Sequence, residues 1–394
     1  MIYFLQIIVG VLLGTFIGFF PNIHINLLAY VFSIINLIYS PDSFYFFLSF
    51  SISQLISSYL PTTFFGIPNE STVLSLFPSQ RLNLKGESKL AIYLCLFGSF
   101  LGCLFSILIL PFLGIIFSLL KDFNFIIYFS IILSLFLFIL SQSKIKDMLI
   151  VFSIIIFSGS LGIFTLKYNL FFREPLFVCI TCLFAFPYLI SSIFNKHRGV
   201  FQSFSKVNLD YNKYILPGLI GSISSFLIIL IPSFSSSQAA AIISSIKKKI
   251  NEKVYLIIFS SISISALIFS YFLAINFNKP RLGYIAILLS ANVLPVSFNY
   301  FIFSIVILIS SLLSSFIIFS LINFILKIIN HLNLYRINIF FFIFILFILI
   351  FVSGFNSIFL IIISTLIGFI PLRFNKSRLF LISYLMIPTL LFYI

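Results

Sequence analysis

The stretch KYILPGLIGSISSFLIILIPSFSSSQAAAIISSIKKK, from Lys213 to Lys249, decides how the chain is read. Its interior, 214–246, is apolar for longer than the roughly 20 residues one membrane crossing needs, and Pro232 breaks it near the middle. Lys196, Arg198, Lys206 and Lys213 precede it, and Lys247, Lys248, Lys249 and Lys253 follow. Lys and Arg concentrate in the cytoplasmic loops of membrane proteins, so both flanks belong on that side. A segment that enters and leaves on one face is a helical hairpin, here with Pro232 and the polar run PSFSSSQ at its tip.

The whole chain has the same character. Its 394 residues are 61% hydrophobic and 8% charged, with mean hydropathy +1.25, whereas a soluble chain carries roughly a quarter charged residues. A water-facing surface cannot be built from this, so soluble classes are excluded. The net charge of +15 reports orientation in the membrane first and gives no reason to expect a nucleic-acid partner. The N-terminal MIYFLQIIVG lacks the charged region and small-residue cleavage site of a signal peptide, so the first segment is expected to stay. Cys95, Cys103, Cys179 and Cys182 lie inside apolar runs and are expected to pack as small hydrophobes.

Runs long enough to cross lie near 43–60, 90–119, 123–142, 148–166 and 175–194, then near 254–277, 299–328, 336–353, 354–371 and 377–394. The first half also opens on a broken apolar stretch, 1–40 around Pro21, and no Lys or Arg occurs before Arg81. Its ends are therefore placed outside. Threading five spans between the hairpins leaves Lys121, Lys167, Arg173, Lys279 and Arg281 outside and the other 18 of the 23 basic residues inside. An odd number of crossings per half turns the second half upside down relative to the first. Sequence echoes agree: Gly10 and Pro21 match Gly221 and Pro232 at an offset of 211, and Gly66 and Pro78 match Gly283 and Pro295 at 217.

The expected fold is thus an all-α integral membrane protein, a polytopic bundle of two inverted structural repeats, each with a proline-tipped helical hairpin plus about five spans. Residues 1–195 form the first repeat, with hairpin 1–40 and re-entrant segment 61–80. Residues 196–213 form a cytoplasmic connecting loop and hinge. Residues 214–394 form the second repeat, with hairpin 214–246 and re-entrant segment 279–298. The protein is placed in the cell membrane, multi-pass, with both termini extracytoplasmic and the lipid bilayer as its first partner.

Polar residues interrupt this background at few places. In GTFIGFFPNIHIN, Gly14 to Asn26, Pro21 ends one half-helix and Asn22 can cap the next, turning free N–H groups and a positive dipole end inward. His24 and Asn26 stand beside it. In IPSFSSSQAAA, Ile231 to Ala241, the hydroxyls of Ser233, Ser235, Ser236 and Ser237 and the amide of Gln238 can meet an oxyanion or a small cation, or each serine can bond back to its own helix. These two tips are the candidate substrate-binding residues. In PTTFFGIPNESTVLSLFP, Pro61 to Pro78, the cluster Asn69, Glu70, Ser71 and Thr72 sets a carboxylate among hydrogen-bonding groups. An ionisable residue at membrane depth is costly and defaults to function, so these four, with Asn292 in the matching segment, are candidates for coupling-ion binding or gating. Glu70 as an interfacial helix cap is the competing account. No catalytic motif, metal cluster or cofactor signature is present; a coupling ion, Na⁺ or H⁺, stays open.

The segments GTFIGFFPNIH, FGIPNESTVLSLFPSQRLNLKGESKLAIYL, IPSFSSSQAAAI, KPRLGYIAI and IGFIPLRFNKSRLFLISYLMIPTLL occur in this order over nearly the whole chain. In order and spacing the chain resembles the large permease subunit of tripartite tricarboxylate transporters, the TctA family (DUF112), in its compact archaeal branch. The resemblance implies a secondary transporter of small carboxylates driven by a cation gradient, with two proline-glycine tips near the site. It implies that bacterial members work with a small membrane subunit and a binding protein. The tips here, Pro21-Asn22-Ile23-His24 and Pro232-Ser233-Phe234-Ser235, lack the family's glycines, so close anion approach by backbone N–H groups is not carried over.

The expected function is a secondary permease of a small organic anion, a di- or tricarboxylate, working by alternating access and not as an enzyme. Flipping of a lipid-linked phosphate is the alternative within transport. An intramembrane lipid-modifying enzyme is the alternative outside it. A homodimer and accessory subunits stay open.

Overall fold

The computed structural model describes residues 2–20, 43–65, 76–120, 124–140, 142, 144–168, 173–194, 200–205, 207–230, 236, 239–240, 243, 251–295, 298–331 and 334–393. Its regular elements are all helices, as lipid demands of a backbone whose polar groups must be satisfied within the segment. In chain order they are α1 (Ile2–Gly18), α2 (Phe44–Ser57), α3 (Tyr59–Phe65), α4 (Leu76–Leu84), α5 (Ser88–Leu120), α6 (Asn124–Leu140), α7 (Ile145–Gly162), α8 (Pro175–Phe194), α9 (Asn212–Ser224), α10 (Phe226–Leu230), α11 (Glu252–Phe277), α12 (Gly283–Ser290), α13 (Tyr300–His331), α14 (Leu334–Ser353), α15 (Ser357–Arg373) and α16 (Ser383–Tyr393). Every apolar run expected to cross is occupied by helix. Five of these helices are long and apolar enough to span a membrane: those over Ser88–Ser118, Ile145–Lys167, Glu252–Phe277, Tyr300–His331 and Tyr335–Ser353. At about 1.5 Å per residue α5 and α13 reach roughly 50 Å, well beyond a hydrocarbon core of about 30 Å.

The helices pack as two bundles. The first gathers α1, α2, α5, α9, α11 and α13 with the short α3, α4, α10 and α12; the second gathers α6, α7, α8, α14, α15 and α16. Both bundles draw helices from the two halves of the chain. At the centre of the first lies α11, whose side chains are buried from Tyr255 through Ala274. Large apolar side chains cover the outside instead: Leu5, Leu12 and Phe16 on α1, Phe316 and Phe324 on α13, Phe347 and Phe351 on α14. An apolar surface around an apolar core fits a lipid solvent and no aqueous one.

Lipid tails are as apolar as leucine, so helices in a membrane are held by close packing at small residues. Gly10, Gly14 and Gly18 recur every four residues along α1 and face Phe46 and Ser49, Phe50, then Gln54 and Ser57 of α2. The contact numbers rise together, so α1 and α2 run parallel. In the second half Gly221 of α9 meets Ile258 and Ser261 of α11, and Ser222 shares hydrogen bonds with Ser261 (2.9 Å) and Ser265 (3.1 Å). This pair is parallel too.

Cross-half contacts follow two rules. Helices α2 and α13 are parallel, with Phe44 stacked on Phe303 and Ser314 donating to the Ser53 carbonyl at 3.5 Å. So are α5 and α11, where Gly98 meets Ile257, and Ser265 donates to the Gly102 carbonyl at 3.1 Å. By contrast α5 and α13 are antiparallel, with Tyr93 on Phe319 and Tyr300 donating to the Ile107 carbonyl. Phe44 beside Tyr271 and Tyr59 beside Phe259 set α2–α3 antiparallel to α11. In the second bundle Gly162 on α7 meets the Tyr384 carbonyl and Pro388 of α16, while Gly368 on α15 meets the Leu183 carbonyl and Pro187 of α8.

One face collects the charges. Arg81 and Lys85 pair with Glu252 at 3.4 and 3.2 Å, and Lys376 pairs with Asp147 at 2.7 Å. On the opposite face Lys279 lies over the Phe117 ring. The connecting loop expected to act as a hinge is clamped on the charged face at 200–205. Gln202 is 2% exposed; its side-chain oxygen accepts from Ser88 N–H (3.2 Å) and Oγ (2.6 Å), and its backbone exchanges hydrogen bonds with the Asn330 amide (2.8 and 3.1 Å). Gly86 completes the clamp at φ +78°, where a Cβ would lie 2.9 Å from the Phe201 carbonyl.

Candidate functional site

Most of the candidate residues fall outside the described part of the chain: Asn22, His24 and Asn26, Ser233, Ser235, Ser237 and Gln238, and Asn69, Glu70, Ser71 and Thr72. Two are placed. Ser236 is helical and buried, and just beyond it Ala239 and Ala240 pack into the cluster formed by Leu256, Ile257 and Ile258 of α11. Asn292 is exposed and sits just beyond α12 at φ +56°. Asn tolerates the left-handed region better than most residues, which gives Asn292 a helix-ending role there.

Many of the polar side chains within the described helices are already bonded. Thr15 donates to Ser314 (3.4 Å), and Ser49, Ser53 and Ser57 of α2 donate to carbonyls of their own helix at 2.7–3.0 Å. On α11 Ser260 and Ser263 do the same at 2.8 and 2.9 Å. Such back-bonded hydroxyls line the core as small packing residues. All four cysteines are free and buried, as their setting in apolar runs implied. Among the described residues no group of His, Cys, Asp and Glu could hold a metal ion.

One corner is different, and the sequence reading passed over it. Arg378, counted there among loop cations, is 7% exposed, with its guanidinium carbon 5.3 Å from the Tyr188 ring centroid. Tyr188 belongs to α8, and its hydroxyl accepts from Gln80 Nε2 of α4 at 3.1 Å. The corner therefore joins the first bundle to the second on the charged face. The available signal was that Arg378 opens the apolar run RLFLISYL with no acid within it.

A chain of apolar helices with a lipid-matched exterior, ion pairs gathered at one face and an apolar helix wholly buried at the centre is a multi-pass membrane protein. The chain belongs to the Tripartite tricarboxylate transporter TctA family, whose model matches residues 4–383. It is also similar to an uncharacterized protein of Methanocaldococcus jannaschii, 29% identical over 408 residues that cover 100% of both chains. No solved structure matches. Family membership makes the chain a permease component and sets the enzyme alternative aside.

Proposed function

We propose that the chain is a secondary permease for a small di- or tricarboxylate, built as two inverted repeats and working by alternating access. The observation that carries this is the exchange of contacts between halves. Gly102 and Ser314 lie 212 apart, as do Ser53 and Ser265, and the contact of Ser265 with the Gly102 carbonyl has its counterpart in the contact of Ser314 with the Ser53 carbonyl, the second half donating in both. Likewise Leu183 and Pro187 lie 201 from Tyr384 and Pro388, and each pair faces a glycine of the other half. A repeat that swaps partners across an antiparallel axis supports the inverted architecture of secondary transporters.

In this reading the tips around Pro21 and Pro232 hold the substrate between them, with Asn22, His24, Asn26, Ser233, Ser235, Ser236, Ser237 and Gln238 as its contacts. Asn69, Glu70, Ser71 and Thr72 bind the coupling Na⁺ or H⁺ or gate the pathway. The threading that puts 18 of the 23 basic residues on the side of Lys85 and Lys253 supports a cytoplasmic assignment for that face, which leaves the two ends of the chain outside. Movement of one bundle against the other supplies alternating access.

Uptake of radiolabelled citrate and succinate into proteoliposomes under an imposed Na⁺ or proton gradient tests this. Gradient-dependent accumulation is expected, with Glu70→Gln losing the dependence. Transbilayer movement of a labelled lipid-linked phosphate without carboxylate uptake would overturn it in favour of the flippase.

A further inference from the structure

The cations between α15 and α16 differ in how they are satisfied. Lys376 has a carboxylate, Asp147, at 2.7 Å, and the Gln142 side-chain oxygen at 3.2 Å. Two residues on, Arg378 is more deeply buried, yet among the described residues neither Nε nor Nη1 has an acceptor. A guanidinium does not escape this by losing its proton. Stacking over Tyr188 offsets part of the desolvation but leaves the in-plane N–H groups of Nε and Nη1 unused. Planar donors of this kind match the two oxygens of a carboxylate.

The counterpart position argues that the fold does not need a cation here. The register that carries Leu183 onto Tyr384 and Pro187 onto Pro388 carries Phe177 onto Arg378. Phe177 is a partly buried apolar residue packed on the core of the second bundle. The same structural place is thus filled by a ring in one half and by an unsatisfied charge in the other. Breaking one partner of a buried ion pair is strongly destabilising, so a fold that keeps half a pair points to a ligand that supplies the rest.

We propose that the Arg378 corner is an oxyanion subsite of the transport pathway, in which Arg378 takes a carboxylate of the organic anion, Tyr188 fixes the plane of the guanidinium, and Gln80 ties the corner to the first bundle. The inference rests on the permease reading above. An anion held here touches the boundary between the bundles, so its binding favours one relative placement of the two over the other.

The test uses the full chain in phosphatidylcholine nanodiscs, with melting midpoints measured without added anion and with citrate, succinate or inorganic phosphate. Citrate or succinate is expected to raise the wild-type midpoint. Arg378→Phe, which installs the counterpart residue, is expected to melt no lower than wild type without anion and to bind the carboxylate on the order of 30-fold or more weakly. Arg378→Lys keeps the charge without the fork and is expected to retain a reduced response. A low anion-free midpoint for Arg378→Phe would show that Arg378 is paired within the chain and overturn the proposal. So would an undiminished carboxylate response in that variant, or a wild-type midpoint moved only by added phosphatidylglycerol. Proteoliposome uptake separates the two claims. Wild-type uptake that Arg378→Phe preserves sinks the subsite and leaves the permease, whereas anion binding without uptake does the reverse.

Discussion

Two corners of the second bundle are built to one pattern. Gly162 of α7 sits against the Tyr384 carbonyl and Pro388, and Gly368 of α15 sits against the Leu183 carbonyl and Pro187. In each, a proline four residues after the contacted carbonyl leaves the backbone of α16 or α8 open to a glycine, and the glycine closes the gap. The corners differ ten residues upstream of those prolines, where one carries Phe177 and the other Arg378 with Tyr188 beneath it. Packing, which both halves need alike, has been kept; charge, which packing does not need, appears once. On the proposed repeat, the chemistry of the chain lies where the likeness of the two halves fails.

The comparison can be broken by adding bulk. Gly162→Leu and Gly368→Leu each drive a side chain into a backbone carbonyl, and forced overpacking costs about 1–3 kcal/mol. Both variants are expected to lower the thermal midpoint by similar amounts; a silent variant at one site would show that the two corners are not equivalents. Gly86→Ala is expected to cost about 1–3 kcal/mol through its left-handed backbone and the nearby Phe201 carbonyl. Hydrogen exchange at 200–205 should rise with it, and unchanged protection there would disprove the clamp. Glu252→Gln marks the bottom of the scale. Its partners Arg81 and Lys85 have 66% and 58% exposed side chains, and exposed pairs contribute about 0–1 kcal/mol. A midpoint within a degree or two of wild type is expected, and a larger fall would mean that this pair holds α4 to α11.

The helices were legible because lipid leaves a chain few choices: a run of about 20 apolar residues must be a helix. The lysines on both flanks of 214–246 lead to the expectation that the chain returns to one face around Pro232, which lies outside the described residues; α9 and α11 on either side of it run parallel. What escaped depends on tertiary partners. Counting Lys and Arg treats a solvated cation and a buried one alike, so Arg378 was indistinguishable from Arg373. Gln202 lies 114 residues from Ser88 and 128 from Asn330, too far for any local pattern to foretell the clamp in the expected hinge. Asn292 shows why residue type alone does not assign a role, since the same amide that suits an ion also suits a left-handed helix end. Bundle membership was hidden as well, because halves that exchange partners leave no composition boundary.

The opposite threading of the two halves is the claim on which the rest stands. Single cysteines replacing Lys85, Lys253, Lys167 and Lys279 can be labelled in intact cells with a membrane-impermeant maleimide, the four native cysteines being buried. Lys167 and Lys279 positions are expected to label from outside, and Lys85 and Lys253 positions only after permeabilisation. Labelling of the Lys253 and Lys279 positions from the same side would place both ends of α11 on one face and contradict the account.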